Sequence, residues 1–281
     1  MTTQPASPDD FLAQGFVPLD AQVLAQRATI GHLPALDIPG QSAQGGFAPL
    51  ADKDLGLYAV VDSAAWVQRV LDGGVRTVQL RIKDPGDPSL RAQVRDSVTA
   101  SRAAGAQFFL NDHWQIAIEE GVYGVHLGQE DLATADLDAI ARAGLRLGIS
   151  THAPWEVCRA WPLRPSYIAC GPIHATAAKA MPWIPQGNAN LAWWCKELAP
   201  LPVVAIGGMD VERTAQAASC GAAGVAVISA ITAAASPEAA IRSLQQAVAQ
   251  GRQRPPHPVP AMPRTSLQSA LCQSAVPGVA S

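Results

Sequence analysis

Eight times between residues 57 and 248, a short apolar run gives way to a segment with helical spacing, and this alternation constrains the fold more than any other feature. Leu57 to Val61 is the first apolar run, and Trp66, Val67, Val70 and Leu71 then recur at the spacing of one helix face. Further strands are expected at 77–80, 107–110, 124–127, 146–149, 167–170, 203–206 and 224–228. Helices are expected near 89–104, 115–120, 137–143, 155–160, 192–198 and 212–219, with a last one presenting Ile241, Leu244 and Val248. Glycines at helix ends (Gly73, Gly74, Gly105, Gly121, Gly144, Gly221) punctuate the pattern. Strands that are apolar on both faces and alternate with helices imply a parallel sheet with helices on both sides or all around it. Eight units predict an α/β protein with a (β/α)8 TIM barrel; a doubly wound open sheet is the competing architecture.

The ends depart from this rhythm. Residues 1–53 carry PASPDD and IPGQSAQGG and are expected to form a partly ordered N-terminal extension with one helix near 21–27. The barrel is assigned to 54–251, and the proline-rich segment 252–281, which begins RQRPPHPVPAMPR, is expected to be disordered. Hydrophobic residues make up 48% and charged residues 15%, enough apolar material for a large core. A net charge of −3 without a basic run argues against nucleic acid as a partner. The five cysteines are scattered and form no CxxC, which argues against a disulfide framework or a zinc site. The N-terminus lacks a basic start followed by an apolar stretch, and the most apolar window, 222–235, is short for a membrane span. A cytoplasmic protein without a membrane partner is the expectation; a homo-oligomer is left open.

In a barrel, functional groups lie at the C-terminal ends of the strands. The second strand runs into Gln79, Leu80, Arg81, Ile82 and Lys83, where alternation puts Gln79, Arg81 and Lys83 on one face. The third ends in Asn111-Asp112, the fourth in His126 to Asp131, the fifth in Ser150-Thr151-His152, the sixth in GPIHATAAK, the seventh in Gly207-Gly208 and the eighth at Ile228-Ser229. Each alone is ordinary: rim charges, turn chemistry, a histidine satisfied in the core. Their convergence on one mouth is not. Arg81, Lys83 and Lys179 bring three positive charges, and Asp112 and Asp131 bring two carboxylates on neighbouring strands. That set suits Mg²⁺ bridging to a diphosphate. Glycines and backbone N–H groups after the seventh and eighth strands suit a monophosphate. No nucleophilic triad is legible, so the chemistry expected is electrostatic stabilisation of a leaving group.

The series QLRIKD, FLNDHW, YGVHLGQEDL, LGISTH, GPIHATAAKAMP, VVAIGGM and AVISAI resembles the motif series of the thiamine-phosphate synthase family from about residue 56 to 231. The resemblance implies a barrel that joins a hydroxymethylpyrimidine diphosphate to a thiazole phosphate and releases pyrophosphate. It implies that Gln79, Leu80, Arg81, Ile82, Lys83, Asn111, Ser150 and Lys179 hold the pyrimidine diphosphate, with Arg81, Lys83, Lys179 and Ser150 taking part in catalysis. Asp112 and Asp131 would hold Mg²⁺, and Thr176, Ala177, Ala178, Gly208, Ile228 and Ser229 the thiazole phosphate. The loop departs from the family pattern: Ala178 stands where a threonine is usual and His174 where an aromatic is, which predicts weaker thiazole-phosphate binding. The alternatives are a thiazole phosphate isomerase (tautomerase) and a non-catalytic phospho-ligand sensor.

Overall fold

The computed structural model describes residues 6–41, 46–176 and 182–267. Two helices, α1 (Pro8–Ala13) and α2 (Pro18–Ile30), come first. The alternating part then runs β1 (Gly56–Val61), α3 (Ala64–Asp72), β2 (Thr77–Leu80), α4 (Leu90–Ala103), β3 (Gln107–Asn111), α5 (Trp114–Glu119), β4 (Gly124–Leu127), α6 (Leu137–Arg142) and β5 (Arg146–Thr151). It continues with α7 (Pro154–Ala160), β6 (Tyr167–Cys170), α8 (Gly187–Glu197), β7 (Val203–Ile206), α9 (Val211–Ser219), β8 (Gly224–Val227), α10 (Ser229–Thr232) and α11 (Pro237–Gln253). The eight strands pair in parallel and in chain order, and β1 closes on β8. The barrel expected from the alternation is therefore the fold, and the open sheet is excluded.

Register explains what fills the barrel. Across neighbouring strands Val60 pairs with Gln79, Gln79 with Phe109, Asn111 with His126, and Ser150 with Ala169. The middle of the barrel is packed by Tyr58, Phe109 and Tyr167, whose rings lie 5.2 to 6.0 Å apart. The opposite strand faces, with Leu57, Val78, Leu80, Phe108, Leu110 and their neighbours, join the core between barrel and helices. Helix starts follow local chemistry: the side chains of Ser63, Asp136 and Asp210 accept backbone N–H groups at the starts of α3, α6 and α9.

The ends are more ordered than composition implies. The single helix expected near 21–27 is two helices, each with a proline in its first turn; Ser7 and Asp10 form a capping box on α1. Asp20 on α2 accepts the N–H of Trp155 at the start of α7 (3.0 Å), and Arg27 pairs with Glu197 at 2.5 Å. Residues 48–54 cross the N-terminal mouth. There Ser166 Oγ donates to Ala48 O, Arg146 Nε to Pro49 O, and Ala51 N–H to the Tyr123 hydroxyl. At the other end, the segment expected to be disordered is mostly exposed from 252 to 261 and then buries Pro263, Ser266 and Leu267; residues 268–281 lie outside the described residues. Its order comes from backbone hydrogen bonds to distant residues, which composition does not reveal. Among the described residues, no helix is long and apolar enough to cross a membrane.

Candidate active site

A cavity of about 210 Å³ opens at the C-terminal mouth. Its lining takes in Gln79, Arg81, Asn111, Asp112, Asp131 and Ser150 from the β2–β5 side, and Thr176, Gly208, Ile228 and Ser229 from the β6–β8 side. Ten of the expected site residues thus meet in one space. Leu80 and Ile82 do not line it: both are buried in the core between barrel and helices. Lys83, three residues past the end of β2, is exposed and is not among the lining residues. The Ile82 carbonyl is instead 2.8 Å from the His113 ring, which ties this segment to the start of α5. Ala177, Ala178 and Lys179 lie outside the described residues.

The carboxylate side is electrostatically loaded. Burial pushes Asp112 up to about 6, reinforced by the negative charge of Asp131 and opposed by the positive charge of Arg81. Asp112 sits at φ +62°, a left-handed conformation that Asp and Asn tolerate better than most residues. Asp131 Oδ2 accepts the Gly128 N–H at 2.8 Å, which turns this carboxylate along the cavity wall. Among the described residues no group of three or more His, Cys, Asp or Glu gathers around a metal position. Two hard carboxylates on one cavity wall fit an ion that keeps several waters and takes its remaining oxygens from a diphosphate.

Beneath them runs a chain of hydrogen bonds that sequence reading did not find. Gln79 Nε2 donates to the Tyr58 hydroxyl (3.1 Å), which lies 2.8 Å from that of Tyr167. The Tyr167 hydroxyl is 2.7 Å from His126 Nδ1, and His126 Nε2 is 2.8 Å from Ser150 Oγ. Burial, helped by the charge of Arg81, pushes the His126 imidazole down to about 4, so the ring is neutral near pH 7. With an amide donor at one end, Tyr58 donates to Tyr167, Tyr167 to Nδ1, and Nε2–H to Ser150. The Ser150 proton is left for the cavity. His126 was expected to be a satisfied core histidine; it is satisfied, and it also lines the site. The available signal was a hydroxyl or ring nitrogen at inward-facing positions of otherwise apolar strands.

The opposite wall is backbone. Gly207 and Gly208 have φ of 105° and 64°, and a Cβ on Gly207 would lie 2.8 Å from Pro172 Cα. Only glycine lets the turn after β7 approach the β6 loop this closely. Ile228 and Ser229 face the same space from β8 and the start of α10. His174 is half-buried, and burial pushes its ring below the ordinary histidine value, assisted by Arg213. The cavity can therefore hold two anionic groups, one on a side-chain subsite with Arg81 and the carboxylate pair, the other on the glycine-lined turns.

Comparison with known proteins points to one family. The family model for thiamine monophosphate synthase matches residues 57–231. A thiamine-phosphate synthase of Cronobacter sakazakii is 52% identical over 186 residues, covering 66% of this chain and 88% of that protein. One from Serratia proteamaculans is 49% identical over 200 residues, covering 71% and 94%. Among solved structures, thiamine phosphate pyrophosphorylase from Pyrococcus furiosus superposes with a TM-score of 0.64 at 27% identity, over 71% of this chain and 98% of that one.

Proposed function

The chain belongs to the thiamine monophosphate synthase family, and we propose that it condenses a hydroxymethylpyrimidine diphosphate with a thiazole phosphate to give thiamine phosphate and pyrophosphate. The observation that carries this reading is the pairing, in one cavity, of a cation–carboxylate subsite on β2–β5 with a glycine-lined backbone subsite on β7 and β8.

Arg81 and the amide of Asn111 would hold the diphosphate, with the Ser150 proton offered to an acceptor on the pyrimidine substrate. Asp112 and Asp131 would hold Mg²⁺, which supplies charge neutralisation to the diphosphate when bound. The C–O bond to the diphosphate breaks, and its electron pair leaves with pyrophosphate. Arg81 stabilises the charge that develops there, joined in this reading by Lys179. The thiazole ring nitrogen then forms the new C–N bond at the pyrimidine methylene. That nitrogen carries no proton, so no general base is needed. Thr176, Gly208, Ile228 and Ser229 would hold the thiazole phosphate so that the nitrogen faces the methylene, and this proximity supplies much of the remaining acceleration.

The test is pyrophosphate release on mixing both substrates with Mg²⁺. Release that requires both substrates is the expected result. Isomerisation of a thiazole phosphate without pyrophosphate, or ligand binding without turnover, would contradict the proposal in favour of a tautomerase or a sensor.

A further inference from the structure

The C-terminal segment after α11 is bonded to the chain that leads from the β6 loop into α8. The Arg264 N–H donates to Asn190 Oδ1 (2.7 Å), Asn190 Nδ2 donates back to Arg264 O (3.2 Å), and Arg264 Nη2 donates to Gln186 O (2.9 Å). Ser266 O accepts the Ile184 N–H at 2.8 Å. Asn190 and Gln186 are 0% and 1% exposed, so these bonds are made away from water.

The residues held in this way themselves hold the cavity wall. Gln186 Nε2 donates to His152 O (3.0 Å) and the Gln186 N–H to Pro172 O (2.7 Å). His152 and Pro172 both line the cavity. The His152 ring stacks on Trp183 at 5.1 Å, and its Nδ1 lies 2.9 Å from Glu156. The segment is also suited to span the distance. Between Arg254 and Arg264 it reads PPHPVPAMP, and such a proline-rich run is extended and loses little entropy when fixed. It is fixed at its start by the His257 N–H to Ser219 O bond, beyond the exposed Arg254–Glu212 ion pair. The family match ends at residue 231, so this element lies outside the shared part of the chain.

We propose that residues 264–266 are a positioning strap for the active site: by fixing Ile184, Gln186 and Asn190 they hold the wall formed by His152 and Pro172, and substrate affinity depends on them. Arg264, Asn190 and Gln186 touch no substrate; they act through that wall. The choice of substrates used to read the effect rests on the reaction proposed above.

The experiment compares full-length variants. Arg264→Pro removes the backbone donor and the guanidinium; Arg264→Ala removes the guanidinium alone; Arg264→Lys keeps a charged donor; Arg254→Ala breaks only the distant ion pair. Amide hydrogen exchange at Ile184, Gln186 and Gly187 reads the wall, steady-state kinetics read turnover, and calorimetry with inorganic pyrophosphate and Mg²⁺ reads the site without turnover. In Arg264→Pro we expect faster exchange at those amides, about a tenfold weaker pyrophosphate affinity and higher KM, and kcat within about threefold of wild type. Arg264→Ala should shift the same quantities less, so the result does not depend on the proline variant folding. Arg264→Lys should recover most of the loss, and Arg254→Ala should change none of them. Unchanged exchange would overturn the proposal, as would faster exchange with KM and pyrophosphate affinity within twofold of wild type. A wild type without turnover would sink the reaction assignment and not the strap, which exchange and pyrophosphate affinity still decide.

Discussion

The two mouths of the barrel are built from the same strands and put polar groups to opposite uses. At the N-terminal mouth, inward polar side chains are satisfied by residues 48–55. Gln107 bonds to Asp52 and Tyr123, Thr77 donates to Leu55 O, and Ser166 donates to Ala48 O. At the C-terminal mouth, Arg81, Asn111, Asp112 and Ser150 line a cavity, and the nearest charges to Asp112 include others of its own sign. Polar groups bonded to one another stabilise the fold, whereas groups aimed at a cavity are available to a ligand. The comparison places stability at one end of the barrel and chemistry at the other.

The largest effect expected is at the chemical end. Asp112→Asn keeps a residue that tolerates the positive φ and removes the charge, and it should lower kcat/KM for pyrophosphate release by about 10²–10³-fold. Denaturation measured on the same variant should show no loss of stability, because burial and Asp131 already disfavour the charged carboxylate.

Asp20 tests the structural side through pH. Burial pushes it up to about 7 from an ordinary 3.8, the Trp155 N–H opposes that shift and Glu156 adds to it, and Oδ2 has no hydrogen-bond partner among the described residues. Between those two values the folded state keeps a proton that the unfolded state has released. Stability therefore falls as pH rises from about 4 to about 7 and levels off above. Asp20→Asn should flatten that slope, a change of at most about 4 kcal/mol across the window. Chemical denaturation at a series of pH values measures it, and an unchanged slope would contradict the assignment to Asp20.

Tyr167 stands on the border between the two regions. Tyr167→Phe removes one of the two partners of the Tyr58 hydroxyl and the partner of His126 Nδ1, and should cost about 1–3 kcal/mol of stability together with about a tenfold loss in kcat/KM. Movement in one readout without the other would assign the hydrogen-bond chain to a single mouth. Gln107→Ala should cost about 1–2 kcal/mol in denaturation and leave turnover alone. The smallest change expected is in Ala178→Thr, which restores a hydroxyl and should lower the apparent KM for the thiazole phosphate about threefold. No change in that KM would remove Ala178 from the phosphate subsite.

The barrel was legible because its strands are apolar on both faces and its helices repeat at their own spacing. Sites at strand ends were legible wherever alternation held, as from Gln79 to Arg81. Arg81, one residue past β2, still lines the cavity, whereas Lys83, three residues past it, is exposed and outside the lining. Tyr58 and Tyr167 were hidden because each sits inside an apolar strand, and only closure of the barrel brings them to His126. The strap was illegible because proline-rich composition reads as disorder, while its order depends on Asn190 and Gln186, more than seventy residues away in sequence.

Whether the two mouths divide stability from chemistry is decided by measuring Asp112→Asn and Gln107→Ala side by side for pyrophosphate release and for unfolding free energy. A crossed result is expected: turnover lost with stability kept in Asp112→Asn, and stability lost with turnover kept in Gln107→Ala. Parallel losses in both readouts for both variants would contradict it.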